Sequence, residues 1–424
     1  MTEKKFELIV EIYDDLSLER IESYFQRFKK NNIKWLLIPP QHNYVKKAKN
    51  EWSDRYAPTS YSISQNKAFL TKLVQTAKKY DINIIVDVVF NHCDPQVYQK
   101  LENINQNLFH DSKSTDITKK WFYGVLPSWN TECADIKKNA LDVLNELRSI
   151  GVKGFRFDTA PYIEHEFFDY LLSNSSQDEL HIFESRHFDV FDLKTAGYDE
   201  FRKFYEYRIK FRPSKTIFYD FYAFNNIYNL IKNSGYPNQE NSIYSQTIMP
   251  GYGLEVGTTH DEITHNFKDL NQETIYAAQL MSFWASPNNY GVTTMCCDSP
   301  ISNCLLWNFE TLEKFLVPLV SIKNQLGSIG FKTVNLKTFL IDKNLIISLN
   351  RPSQASFVMN VTNCEETIYD KLNSQRLDKL NIADLGFLDH NLESVWNKNF
   401  FKSSVNGDIY VQQRAFELLH TKPI

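Results

Sequence analysis

Short apolar segments alternating with helical patterns constrain this 424-residue chain more than any other feature. Residues 6–13 read as a strand. Ser17 is then placed to cap a helix in which Ile21, Tyr24, Phe25 and Phe28 recur on one face. Asn31-Asn32 ends it, and a second strand at 33–38 is stopped by Pro39-Pro40. The long polar and aromatic segment 41–64 suits a functional loop. A helix with Phe69, Leu70, Leu73, Val74 and Ala77 on one side leads to 82–90, nearly all apolar, as a strand covered on both faces is. A helix at Ala134–Ile150 ends at Gly151 and feeds a strand closing at Asp158. A helix at 164–173 and strands at 180–184, 216–221, 254–258 and Tyr290–Met295 follow, with helices at 272–285 and 310–325. Eight strands, most followed by a helix, predict an α/β fold: a (β/α)8 TIM barrel.

Two stretches break the alternation. Residues 93–125 have weak periodicity and read as a short excursion after the third strand. From about Lys332 strand patterns at 338–350, 355–362 and 407–420 predict a C-terminal antiparallel β domain. The expected division is a barrel of residues 1–92 and 126–331, the excursion 93–125, and a β-sandwich-like domain 332–424.

Within the barrel pattern, Gly151–Ala160 carries an unusual charge pair. Strand side chains alternate, so Arg156 and Asp158 share one side while Lys153, Phe155 and Phe157 share the other. Charges in so apolar a strand are costly unless they meet each other or a polar cavity. Taken alone, the pair reads equally well as a structural ion pair.

Composition narrows the function classes. The formal net charge of −4 gives no basic excess to neutralise phosphates, against nucleic-acid binding. No apolar run approaches a membrane span, and the N-terminus lacks the apolar core of a signal peptide. The six cysteines are scattered without metal spacing, so reduced thiols and a cytoplasmic protein are expected.

If the barrel forms, the strand ends share one face. Strand three brings Asp87, Asn91 and His92, strand four Arg156 and Asp158, strand five Glu184, and strand seven His260 and Asp261. Each has a plainer reading: Asp87 as a satisfied core acid, Glu184 as a surface acid, His260 as a core histidine. Their convergence points instead to glycosidic bond cleavage, which needs one carboxylate to attack or guide water and another to protonate the leaving oxygen. Arg156 favours the charged form of Asp158, and the apolar Ile182-Phe183 approach favours a neutral Glu184. The roles separate as Asp158 nucleophile, Glu184 acid/base and Asp261 a third carboxylate on the sugar hydroxyls.

These residues resemble a family. Asp87-Val-Val-Phe-Asn-His92, Gly154-Phe-Arg-Phe-Asp158, Phe183-Glu184 and Thr259-His-Asp261 look like the four short regions of the α-amylase superfamily, glycoside hydrolase family 13, in order and spacing. The stretch from Trp52 to Tyr61 resembles animal-type α-amylases, and Leu126-Pro-Ser-Trp-Asn-Thr-Glu132 is similar to the family's Leu-Pro-Asp-Leu-Asn-Thr-Glu. The resemblance covers about residues 6–330. It implies a retaining mechanism on α-linked glucose polymers, with Arg156, His92, His260 and Asp87 lining the sugar site and Tyr56 and Trp52 stacking along it.

The departures carry expectations too. Asn91 matches a ligand of the family's structural calcium, but Ser128 stands where an acid is expected, so calcium is expected to be weak or absent. Thr259 and Thr294 stand where a chloride site would need an asparagine and a basic residue, so no chloride requirement is expected. Pro161-Tyr162 replaces a Lys-His pair on the leaving-group side, and Ser185-Arg186 follows the acid. The expected substrate is an α-1,4-glucan or maltooligosaccharide, with no required cofactor. The alternatives are a transglycosylase or small α-glucosidase, a barrel enzyme with a metal site at His92 and His260, and a catalytically silent carbohydrate-binding scaffold.

Overall fold

The computed structural model describes residues 5–12, 17–46, 52–173, 175–176 and 178–184, then the strands beyond them and residues 309, 312–317, 320 and 324. The chain divides into two units, residues 9–219 and residues 1–8 with 220–424.

The first unit is a curled parallel sheet with helices between its strands. In chain order it runs β1 (Glu7–Ile12), α1 (Leu18–Lys30), β2 (Trp35–Ile38), the hairpin β3 (Asn43–Tyr44) and β4 (Pro58–Ser60), α2 (Lys67–Lys79), β5 (Asn83–Val88), α3 (Pro95–Leu101), α4 (Ala134–Ile150), β6 (Gly154–Phe157), α5 (His165–Leu172), β7 (Leu180–Phe183) and β8 (Thr216–Tyr219). The pairs β1–β2, β2–β5, β5–β6, β6–β7 and β7–β8 are all parallel. The parallel strands and the helices between them that were read from the sequence are present here, with ends shifted by up to three residues, whereas the hairpin β3–β4 and helix α3 were not read from it.

One local device builds three of the helix-to-strand returns. Asn32, Asp81 and Gly151 follow α1, α2 and α4 in the left-handed conformation, at φ 55°, 61° and 106°. The next residue is apolar each time, and its N–H reaches back five residues: Ile33 to Phe28, Ile82 to Ala77, Val152 to Leu147. This closes the helix ends and buries an aliphatic side chain as the strand begins. Ser17 Oγ accepts the Arg20 N–H at the start of α1, as its sequence predicts. Gly154 is required for another reason. A Cβ there would lie 2.8 Å from the Leu180 carbonyl, so only glycine lets β6 and β7 approach.

Burial follows the patterns. Ile21, Phe25 and Phe28 of α1, Leu70, Leu73, Val74 and Ala77 of α2, and Ile136, Ala140, Val143, Leu144 and Leu147 of α4 are buried against strands with buried cores. At the amino end of the sheet, Glu179 accepts both Arg148 Nε (2.7 Å) and Nη2 (2.9 Å) and lies 2.7 Å from His181 Nε2. Burial alone raises the Glu179 carboxyl, but the bonds from Arg148 and His181 outweigh it and hold it down at about 2. Its contribution is therefore complete above about pH 4.5 and is lost as pH falls toward about 2. Glu179→Gln is expected to lower stability at pH 7 by about 2 kcal/mol, less than a fully buried pair because Arg148 keeps 18% exposure. Urea unfolding at pH 7 and pH 3 checks this: the gap between parent and variant should shrink at pH 3.

Residues 93–133 explain their own lack of periodicity. Asp94 caps α3, and short bridges join Phe109 to Trp129 and Phe122 to Leu126. The core of this segment is aromatic: Phe109 stacks on Trp129 at 4.7 Å, and Tyr98 meets Phe109 and Trp121 edge-on. Rings from irregular backbone fill space without a helical or strand repeat.

In the second unit, β10 (Gly253–Val256) and β11 (Tyr290–Met295) pair in parallel. An antiparallel sheet runs β15 (Leu380–Leu388), β14 (Ser356–Asn363), β13 (Asn344–Asn350), β12 (Thr333–Ile341) and β9 (Glu240–Tyr244). The single strand expected at 338–350 is a hairpin, β12 and β13, turning between Ile341 and Asn344. Neither β9 nor β15 was evident in the sequence. The helix expected at 272–285 and the strand at 407–420 lie outside the described residues. Among the described residues no helix is long and apolar enough to cross a membrane.

Candidate active site

Register brings the acids together. Asp87 of β5 is the partner of Arg156 in β6, and Phe157 is the partner of Phe183 in β7. Asp158 and Glu184 each come one residue later, and the ladder continues through the Glu184 N–H to the Phe157 carbonyl at 3.1 Å. Adjacent parallel strands lie about 4.8 Å apart, so the two acids leave neighbouring strand ends side by side.

Arg156 is the hub. It is 0% exposed, the largest fully buried side chain of the described residues. Its Nη1 donates to Asp87 Oδ1 and Oδ2 at 3.1 and 2.9 Å and to Asp158 Oδ1 at 2.6 Å, while Nη2 lies 3.1 Å from Glu184 Oε1. Burial alone lowers its pKa, but the charges of Asp87, Glu184 and Asp158 overcome this and hold the guanidinium well above its ordinary value. One cation thus faces three carboxylates. Among the described residues Asp158 Oδ2 is buried with no hydrogen-bond partner. One oxygen of Asp158 is therefore fixed and the other is uncommitted.

Glu184 is fixed by the turn that follows Asp158. Thr159 adopts φ 47°, uncommon for a β-branched residue. This aims its N–H at Glu184 Oε2, 2.7 Å away, and the Ala160 N–H at the Glu184 carbonyl, 3.1 Å away. Backbone strain is held where two acids must be placed against each other.

Tyr56, from the described part of the 41–64 segment, meets this cluster. Tyr56 donates its hydroxyl to Asp87 Oδ2 at 2.6 Å, and its ring faces the Arg156 guanidinium at 6.0 Å. His92 is buried, with Nε2 2.7 Å from the Tyr56 carbonyl and its ring stacked on Phe122 at 4.8 Å. Burial lowers its pKa despite the Asp158 charge and the Tyr56 carbonyl, so it is neutral near pH 7 and donates from Nε2. Asn91 Nδ2 lies 3.4 Å from His92 Nδ1.

Of the site residues expected from the sequence, Asp87, Asn91, His92, Arg156, Asp158, Glu184 and Tyr56 come together. Asp87 is a satisfied acid, as its plainer reading had it, and Glu184 is buried rather than on the surface. His260, Asp261, Arg186 and Thr259 lie outside the described residues, as does the side chain of Trp52. Thr294 is buried in β11. Sequence reasoning missed His42, Tyr61 and Thr159. The first two carry no periodic signal, although their position in the aromatic loop beside Pro39-Pro40 is one cue.

Ser128 lies beside His92, which follows Asn91, through an isolated bridge. Ser128 is fully buried, its hydroxyl has no hydrogen-bond partner among the described residues, and Trp129 N–H bonds the Asn91 carbonyl at 2.8 Å.

No family model matches the chain. A curated α-amylase of Clostridium acetobutylicum is 29% identical over 134 residues, a match spanning 27% of this chain and only 17% of that protein. Among solved structures, wild-type α-amylase I of Eisenia fetida aligns with TM-score 0.59 at 14% identity, covering 84% of this chain and 86% of that one. The α-amylase of Geobacillus thermoleovorans, complexed with acarbose, aligns with TM-score 0.52 at 13% identity over 85% and 87%. At such identities the structural likeness shows the fold. The chain is thus similar over a short stretch to a curated α-amylase and shares the fold of solved α-amylases.

Proposed function

We propose that the protein is a retaining α-glycoside hydrolase acting on α-1,4-linked glucans or maltooligosaccharides. The observation that carries this reading is the single guanidinium shared by Asp158 and Glu184, with Asp158 Oδ2 left uncommitted. Retaining enzymes need their two carboxyls about 5–5.5 Å apart, in keeping with acids from adjacent strand ends. In the first step Asp158 Oδ2 bonds to the anomeric carbon as the glycosidic C–O bond breaks, and Glu184 gives its proton to the leaving oxygen. In the second, Glu184 takes a proton from water, whose oxygen displaces Asp158. Arg156 keeps Asp158 aimed. Asp261, His260 and Trp52 take the sugar-binding roles that the resemblance implies, and Arg186, a departure from the family, is a further candidate for substrate binding. The finer architecture proposed with it is the (β/α)8 barrel with an excursion after its third strand and a C-terminal β domain.

A substrate panel of starch, glycogen, maltotriose, isomaltose, trehalose and sucrose, read by product chromatography, tests the reading. Release of maltooligosaccharides from starch or glycogen is expected. Inertness on the whole panel would sink it and favour the silent scaffold. A second reading, transglycosylation, is favoured by Tyr162, which is buried and edge-on to Phe122 at 5.1 Å. On the side the resemblance gives to the leaving group, an apolar wall disfavours water. Products longer than an input of maltoheptaose would select it.

Neither reading routes a step through a metal. Dialysis against EDTA is expected to leave both activity and Tm unchanged, measured by the same assay and by calorimetry. A metal-reversible loss of either overturns this and revives the metal-site alternative.

A further inference from the structure

The loop bearing Tyr56 and the end of β5 meet at a buried group that the proposed reaction does not use. His42 is 1% exposed. Its Nδ1 lies 2.7 Å from the Tyr61 carbonyl, and its Nε2 accepts the Val89 N–H at 3.1 Å. These two bonds fix one neutral tautomer, with the proton on Nδ1 and the lone pair on Nε2. The ring packs against Phe90 at 5.6 Å and Tyr61 at 6.2 Å, and the Tyr61 hydroxyl donates to the Phe90 carbonyl at 2.8 Å. Burial lowers the imidazole pKa to about 4, against the Tyr61 carbonyl and the Asp158 charge, so the ring stays neutral near pH 7.

The position explains what such a ring does. His42 and Tyr61 stand at the two ends of the loop that carries Tyr56, and Val89 stands two residues beyond Asp87 in the chain. The Tyr56 hydroxyl joins loop to strand inside the site, through Asp87. One rigid imidazole joins the same loop to the same strand end through backbone groups alone. The Tyr61 hydroxyl on the Phe90 carbonyl and His92 Nε2 on the Tyr56 carbonyl are further ties, but the imidazole alone ties the Tyr61 backbone to Val89.

We propose that His42 is a positioning residue for the active site, a neutral brace that sets the Tyr56 loop against the end of β5. The inference rests on the hydrolase reading for its kinetic consequence, not for its geometry.

Two variants separate the links. His42→Asn keeps a donor near the place of Nδ1 for the Tyr61 carbonyl and loses the acceptor for Val89. His42→Gln reaches the place of Nε2 and keeps the Val89 link while losing the donor to Tyr61. Steady-state kinetics on maltoheptaose are measured well below each variant's Tm. The Gln variant, with a loosened loop, is expected to raise KM about tenfold with kcat within about threefold. The Asn variant, with a loosened strand end, is expected to lower kcat about tenfold with KM within about threefold. Variants that melt lower but keep the parent's KM and kcat per folded site overturn the proposal, because the ring would then be only structural. Should either variant fail to fold, Tyr61→Phe, which removes only the hydroxyl bond to Phe90, replaces it, and a raised KM is expected. If the parent cleaves nothing, the hydrolase reading fails and the brace is read from calorimetric binding of maltoheptaose. About tenfold weaker binding by the Gln variant alone sustains it; equal Kd values, or a parent that does not bind, overturn it.

Discussion

Asp158→Asn is expected to lower kcat on maltooligosaccharides by at least about 10^4-fold, with no fall in Tm. The amide is nearly isosteric and can still accept from Arg156 Nη1, which bonds Asp158 Oδ1 at 2.6 Å in the parent. What it lacks is the anionic oxygen that must form the glycosyl bond. Losses of that size are usual when a nucleophile is removed and binding groups remain. The stability expectation comes from charge. Three carboxylates surround one guanidinium, so removing one negative charge relieves repulsion without opening space. Product release by chromatography and a calorimetric Tm check the two halves. A variant active within tenfold of the parent would remove Asp158 from the nucleophile's role.

Arg156→Leu has the largest expected effect on stability. It leaves the buried Asp87, Asp158 and Glu184 without their shared counter-charge. Truncating one partner of a buried pair costs about 3–5 kcal/mol, and here three partners share the loss. The sign of the pH dependence identifies the cause. Without the guanidinium the folded-state carboxyls are raised above their unfolded values, so the folded variant binds the extra proton. Its stability is then greatest at low pH and falls as pH rises through the raised values. Urea unfolding at pH 5 and pH 8 should show a smaller deficit from the parent at pH 5. An equal deficit at both would mean that lost packing, not lost charge, is responsible. Lysine in place of Arg156 should recover little, because a point charge cannot span three carboxyls as a planar fork does.

Much of this cluster was legible because strands have a period of two. Arg156 and Asp158 had to share a side, and Asp87 and Glu184 had to stand at strand ends. The helix stops were legible for an equally local reason: an asparagine or glycine in the left-handed region ends a helix whatever surrounds it. The excursion showed in the sequence only as missing periodicity, since its aromatic core forms between rings with no fixed spacing. The strand Glu240–Tyr244 was missed because its partner, Thr333–Ile341, lies far along the chain.

The sequence by itself determined the order of the parallel strands and their connecting helices in the first unit, the shared side of Arg156 and Asp158, and the short segments that resemble the α-amylases. Only the tertiary structure decided that Arg156 would be the common partner of three acids. It alone decided that Thr159 would aim its amide at Glu184, and that His42 would brace a loop to a strand. Those contacts join residues 69, 25 and 47 positions apart. Periodicity and capping act over a few residues, whereas contacts at such separations exist only after the strands have found their register.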